Sequence, residues 1–144
     1  MLKKNMLLIV WAAMLYVLAF PLTGYAGTDY AHFPQASEYI RSAKVEIIPQ
    51  GNGTLLVKNQ LGATRTVDKL GIKTLKMQTF KNGSWQSLAT PISGDYAYNT
   101  NTYVYNFYYY GTPGTQYRSY VEFYVENNGG SETKVVTSSP AVAN

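Results

Sequence analysis

The chain contains no cysteine and a single histidine, His32. Without thiols there are no disulfides, and with one imidazole a zinc or copper cluster has too few ligands. A Ser-His-Asp arrangement would have to recruit His32, and no G-x-S-x-G elbow is present. Calcium needs several oxygen ligands close together, whereas Asp29, Asp68 and Asp95 are widely separated. No segment carries an apolar stripe of helical period, so helix content should be minimal and no phosphate-cradling loop can open onto a helix. Charged residues make up only 14% of the chain. Glu122, Glu126 and Glu132 could meet across a hairpin as glycosidase-like carboxylates, but a solvated strand face balanced by Arg118 and Lys134 accounts for them better. These absences argue for a protein that is not an enzyme and needs no cofactor or metal.

What is present begins with a targeting segment. Lys3 and Lys4 precede an apolar run from Met6 to Phe20, and Gly24-Tyr25-Ala26 offers a small-x-small cleavage site. Residues 1–26 therefore read as a cleavable signal peptide, too short for a ~20-residue membrane span and followed by no lipid-accepting Cys. Retention as an uncleaved anchor is the alternative. Removing 26 of 144 residues leaves 118, enough for one domain. From Gly27 onward ten Lys/Arg face eight Asp/Glu, a net charge of only +2. Nucleic acid is not an indicated partner, and contact with a membrane is expected only through the signal segment. The expected location is secreted, extracellular or in the cell envelope, and the missing cysteines suit a bacterial envelope.

The rest of the chain is organised by period-two patterns. Residues 27–42 read as an extended lead-in, with a possible helical turn at Ser37–Arg41, and residues 43–139 as one β-domain. Residues 140–144 form a flexible tail with nothing to bury, in a segment expected to fray from Ser138. In the stretch 117–125, Tyr117, Ser119, Val121, Phe123 and Val125 alternate with Arg118, Tyr120, Glu122 and Tyr124. The first set should be shielded and the second wet. Asn127 to Gly130 supplies a reversal, and Ser131 to Thr137 the returning strand. Ile72 and the pair Leu75/Met77 are out of phase, so a bulge is expected near Lys73-Thr74. Asn82-Gly83 is the strongest hairpin signal. A two-residue turn there pairs Phe80 with Trp85; a three-residue turn pairs Thr79 with Trp85. The second is preferred because it sends Trp85 inward. Asn52-Gly53-Thr54 and Asn82-Gly83-Ser84 match a glycosylation sequon, but both are sufficiently explained as turns.

About seven strands with regular turn signals make an all-β fold, a single antiparallel β-sandwich. Pro113-Gly114-Thr115-Gln116-Tyr117-Arg118, the alternating strand behind it and the Asn-Asn-Gly-Gly turn resemble the last hairpin of an immunoglobulin-like or fibronectin type III sandwich. That resemblance implies that Tyr117 turns its hydroxyl back onto the preceding corner, with Gly114 in the turn. It departs from the pattern at Val57-Lys58-Asn59, where that family usually has a Trp. Asp68-Lys69-Leu70-Gly71-Ile72, Asn82-Gly83-Ser84-Trp85 and Tyr117-Arg118 also look like a family of small exported bacterial proteins of unknown function. That likeness implies export and a sandwich, and no reaction.

Tyrosine is in excess, with ten between Tyr96 and Tyr124. A core takes up Tyr117, Tyr103 and Tyr105, and leaves Tyr108, Tyr110, Tyr120 and Tyr124 on the faces opposite the core rows. Exposed tyrosines offer large area, few rotors and a polar tip. The expected function is a non-catalytic binding module, its partner a cell-wall glycan or a surface protein, held by Tyr108, Tyr110, Tyr120 and Tyr124. Stabilising cross-strand pairs are the plain alternative for these four. Two other functions stay open: a structural or assembly protein whose edge strands pair between copies, and a small secreted effector or inhibitor presenting the loops Gly111–Thr115 and Pro91–Asp95.

Overall fold

The computed structural model describes residues 37–144. The signal-peptide expectation for 1–26 and most of the lead-in lie outside the described residues. Six antiparallel strands and no helix make up the described chain: β1 (Ile40–Gly51), β2 (Thr54–Lys81), β3 (Ser84–Tyr110), β4 (Gln116–Asn127), β5 (Gly130–Thr137) and β6 (Ala141–Val142). Three of the reversals have one chemistry. Asn52-Gly53, Asn82-Gly83 and Asn128-Gly129 each combine an Asn at φ 50–52° with a Gly at φ 75–79°, and each joins strands paired immediately beyond the two residues. Positive φ at both positions defines the type I′ turn, whose twist matches that of the flanking strands.

β2 holds 28 residues. Drawn straight it would reach ~90 Å, several times the ~13 Å radius of gyration of a 100-residue domain, so it must bend. Its partner shows where. Gly62 lies opposite Thr102 and Val67 opposite Thr100, so four residues of β2 (63–66) face Asn101 alone. Before the bend, β2 lies between β1 and residues 102–110 of β3; after it, between residues 84–100 of β3 and β4, with β5 beyond β4. Leu55, Val57 and Leu61 from the first half join Leu70, Ile72, Leu75 and Met77 from the second in one buried cluster with Val121, Phe123 and Val125 of β4. Each such side chain stabilises the fold by about 1.5–3 kcal/mol relative to exposure. β4 alternates without exception from Gln116 to Asn127, odd residues buried and even ones half-exposed. The bulge falls where the phase change asks for it, between Ile72 and Thr74 on the β4 side.

Four expectations are corrected. The Asn82-Gly83 turn has two residues, so Trp85 sits opposite Phe80 on the outward face and is only half-buried. It finds partners there: the Phe80 ring at 5.2 Å and the Arg118 guanidinium at 4.3 Å. The tail 140–144 does not fray. β6 pairs with Gln116 and Tyr117, Ala143 is fully buried, and Gly53 N donates to the Asn144 carbonyl at 2.7 Å. Ser138 too is buried, its hydroxyl accepting from Ser119 N at 3.0 Å. Ile40 and Arg41 open β1 as strand rather than helix. Finally, Leu61–Lys69, ambiguous in sequence, and Tyr96–Thr100, which reads as a separate short strand, are parts of the long strands β2 and β3.

Candidate functional site

Across the outward side of β5, β4, β2 and β3, cross-strand partners line up in rows. One row is Thr133, Tyr124, Gly71 and Tyr96; the next is Ser131, Glu126, Lys69 and Tyr98. Gly71 is the centre of this surface. A Cβ there would collide with the Asp95 carbonyl oxygen and stand 2.8 Å from the Tyr96 Cα. With no side chain in the row, the flanking rings close over the gap: Tyr96 and Tyr124 meet edge to face at 5.9 Å. Aromatic cover of a strand glycine restores the contact area that the glycine lacks. The Lys69 ammonium lies 4.2 Å from the Tyr96 centroid and 5.4 Å from that of Tyr124. Such cation–π contacts are worth ~0.5–1 kcal/mol at exposed sites.

The carboxylates of this side each have their own partner. Tyr124 donates to Glu126 Oε2 at 2.8 Å, which holds the tyrosine hydroxyl above its usual pKa. Glu122 pairs with Lys73 at 3.0 Å and raises that ammonium. Glu132 belongs to the other side: it stands opposite buried Val125 on β5 and accepts from the Tyr39 and Ile40 backbone N–H groups at 2.9 and 3.1 Å. Glu122 and Glu126 lie on the outward face of β4, and Glu132 on the opposite face of β5. Among the described residues no group of three His, Cys, Asp or Glu side chains gathers to hold a metal ion.

The eight steps along β4 from Arg118 to Glu126 give this face a length of about 27 Å. Trp85, Phe80 and Arg118 mark one end, Tyr96, Tyr98 and Tyr124 the other, with Tyr120 beside Lys76 between them. Four cations (Lys69, Lys73, Lys76 and Arg118) against Glu122 and Glu126 leave it positive.

The four tyrosines expected to act together are split. Tyr120 and Tyr124 are half-exposed on β4, whereas Tyr108 and Tyr110 stand opposite Leu56 and Thr54, on the half that carries β1. Tyr110 is 77% exposed and borders an open cleft of about 340 Å³ with Leu88, Lys81, Tyr109 and Thr112. Tyr117 is 4% exposed, and the Thr112 N–H donates to its hydroxyl at 2.8 Å. Gly114 adopts φ +80°, and its N–H donates to the Ala143 carbonyl at 2.7 Å. Tyr96, Tyr98 and Lys69 were missed from sequence; the signal that finds them is the register through Gly71, which no local pattern reveals. Comparison with protein-family models, with curated proteins and with solved structures finds no match.

Proposed function

We propose that the chain is a non-catalytic β-sandwich module, secreted or held in the cell envelope, that binds a glycan or a surface protein through the tyrosine-rich outward face of β4, β2 and β3. The sandwich reading takes β1, β2 (54–62) and β3 (102–110) as one layer. The second layer is β5, β4, β2 (67–81) and β3 (84–100). Lettered A to G in chain order, these neighbours are A-B-E and G-F-C-C′, an immunoglobulin/fibronectin type III-like arrangement. The Thr112–Tyr117 hydrogen bond supports the same reading. Export rests on the sequence of residues 1–26.

The observation that carries the binding role is the cluster of Tyr96, Tyr124 and Lys69 over Gly71, with Tyr98 beside it at 63% exposure. Rings held by cross-strand contacts lose little entropy on binding, and ammonium and carboxylate groups at their edges suit hydroxyl-rich partners. A sugar polymer lying along an open strand face fits this surface better than a small molecule that needs a pocket. Titration with soluble cell-wall polysaccharide fragments and with envelope protein extracts, followed by NMR, tests it. Shifts should centre on Tyr96, Tyr98 and Tyr124. Tyr98→Ala and Tyr124→Ala should weaken binding at least about tenfold (~1.4 kcal/mol), and Tyr108→Ala should not. Absence of binding to either class, or variants that bind like the parent, would refute the proposal.

A further inference from the structure

Among the described residues, 102–110 of β3 pair with β2 on one side, and no strand pairs with their other edge. A free edge normally carries a device that stops another strand from adding to it. The other edges here do. β1 has Pro49, Lys44, Glu46 and register shifts at both ends; β5 is eight residues long with Glu132 and Lys134. The first part of β3 has Pro91, Asp95 and Gly94 at φ +78°. The segment TYVYNFYYY has no charge, proline, glycine or positive φ. Five of the nine exposed large apolar side chains of the described residues belong to β3, three of them (Val104, Tyr108 and Tyr110) in this segment.

The hydrogen-bond phase of this edge follows from one contact. The Gly111 N–H donates to the Gly53 carbonyl at 2.8 Å, one step beyond the Thr54–Tyr110 pair. Bonded and non-bonded pairs alternate in an antiparallel ladder, so Tyr109, Phe107 and Tyr105 exchange bonds with β2. Val104, Asn106 and Tyr108 therefore turn both N–H and C=O toward the free edge.

We propose that this edge pairs with the same segment of a second copy, antiparallel, about a two-fold axis at Asn106. Asn106 then exchanges both bonds with its counterpart, and Val104 does so with Tyr108 of the other copy. Tyr105 comes opposite Phe107 on the inner side. Aromatic–aromatic and aromatic–β-branched partners are the pairs that stabilise sheets, and an uncharged strand brings no like charges together. A contact of this symmetry uses the same edge on both copies, so it closes as a dimer and does not grow into a fibre. This association goes beyond ligand binding and stands whether or not the tyrosine face binds anything.

Protein purified from full-length expression should sediment as a dimer. The chain has no cysteine, so in Asn106→Cys any disulfide must join two copies. The axis places those thiols on residues with Cα atoms ~5.5 Å apart, within disulfide range. Rapid oxidation to a covalent dimer is expected. Thr102→Cys, whose counterpart stands opposite Tyr110, should cross-link at least tenfold more slowly. Asn106→Lys, at an exposed position beside Lys58, should give a folded monomer, with folding checked by circular dichroism. A parent protein that is monomeric at every concentration overturns the proposal. So does equal cross-linking of the two cysteine variants, an Asn106→Lys variant that stays dimeric, or an edge that takes only a foreign extended peptide. Tyr98→Ala should leave the dimer intact and Asn106→Lys should leave glycan binding intact, so failure of one proposal is separable from failure of the other.

Discussion

The Thr112 N–H donates to the Tyr117 hydroxyl at 2.8 Å, closing the corner that feeds β4. Tyr117 is buried, its ring meets that of Tyr109 at 5.5 Å, and Gly111 sits against its edge so closely that a Cβ would lie 2.6 Å from Cε2. Tyr117→Phe removes the acceptor and leaves the Thr112 N–H without its partner, a cost of about 1–3 kcal/mol. Tyr120→Phe, on the half-exposed side of the same strand, should cost under about 0.5 kcal/mol. Urea denaturation of both variants measures the difference. Equal effects would remove the corner role from Tyr117.

Gly71→Ala is expected to be among the most damaging single-methyl additions in the protein. The new carbon would run into the Asp95 carbonyl, which belongs to the paired backbone of β3 and cannot swing aside as a side-chain tip can. Overpacking of this kind costs roughly 1–3 kcal/mol. The same change separates the Tyr96 and Tyr124 rings, so any glycan binding should fall together with the melting temperature. Thermal melts with a binding titration at low temperature check both.

The β4 pattern was legible because alternation is local: each side chain's face follows from its parity, and burial runs 117, 119, 121, 123, 125 as that parity demands. The Asn-Gly turns were legible because their backbone needs positive φ at both positions. Parity says nothing about which half of a bent sheet a strand joins. Tyr108 and Tyr120 both point away from the core, yet their partners are Leu56 and Lys76, on opposite sides of the bend in β2. Trp85 was misassigned for a related reason: one residue of turn length reverses the face of a whole strand. The tail was misread because Ala143 is apolar only by one methyl, and its burial depends on Gly53 and Gly114, far away in sequence.

That docked tail makes its own prediction. Ala143 is fully buried and its carbonyl accepts from Gly114 in the Tyr117 corner. Ala143→Arg places a long charged side chain where no space or partner exists, and it should release β6 and destabilise by roughly 1–3 kcal/mol. Asn144→Ala keeps the backbone carbonyl that accepts from Gly53 and should be nearly neutral. Hydrogen exchange at Gly53 and Gly114 should rise in the first variant and not in the second. Unchanged exchange in Ala143→Arg would mean that the tail contributes nothing to the corner.

The last prediction concerns acid. Burial pushes the Glu132 carboxyl up, but the Ser37 hydroxyl and the Tyr39 and Ile40 N–H groups donate to the charged form and together hold its pKa below the usual value. A carboxyl that ionises more readily in the folded chain than in the unfolded one (~4.3) adds stability that is fully present above the unfolded value. That stability is lost as pH falls through the folded value. The start of β1 should therefore loosen from β5 as pH drops below about 4. Glu132→Gln keeps one acceptor oxygen and loses the charge, so at neutral pH it should be less stable than the parent by about 1 kcal/mol, the low end for charged hydrogen bonds because the group is partly exposed. The two melting temperatures should converge as pH falls through the folded value of the Glu132 carboxyl. Parallel curves across the whole range would show that the Glu132 charge does not fasten this end of the chain.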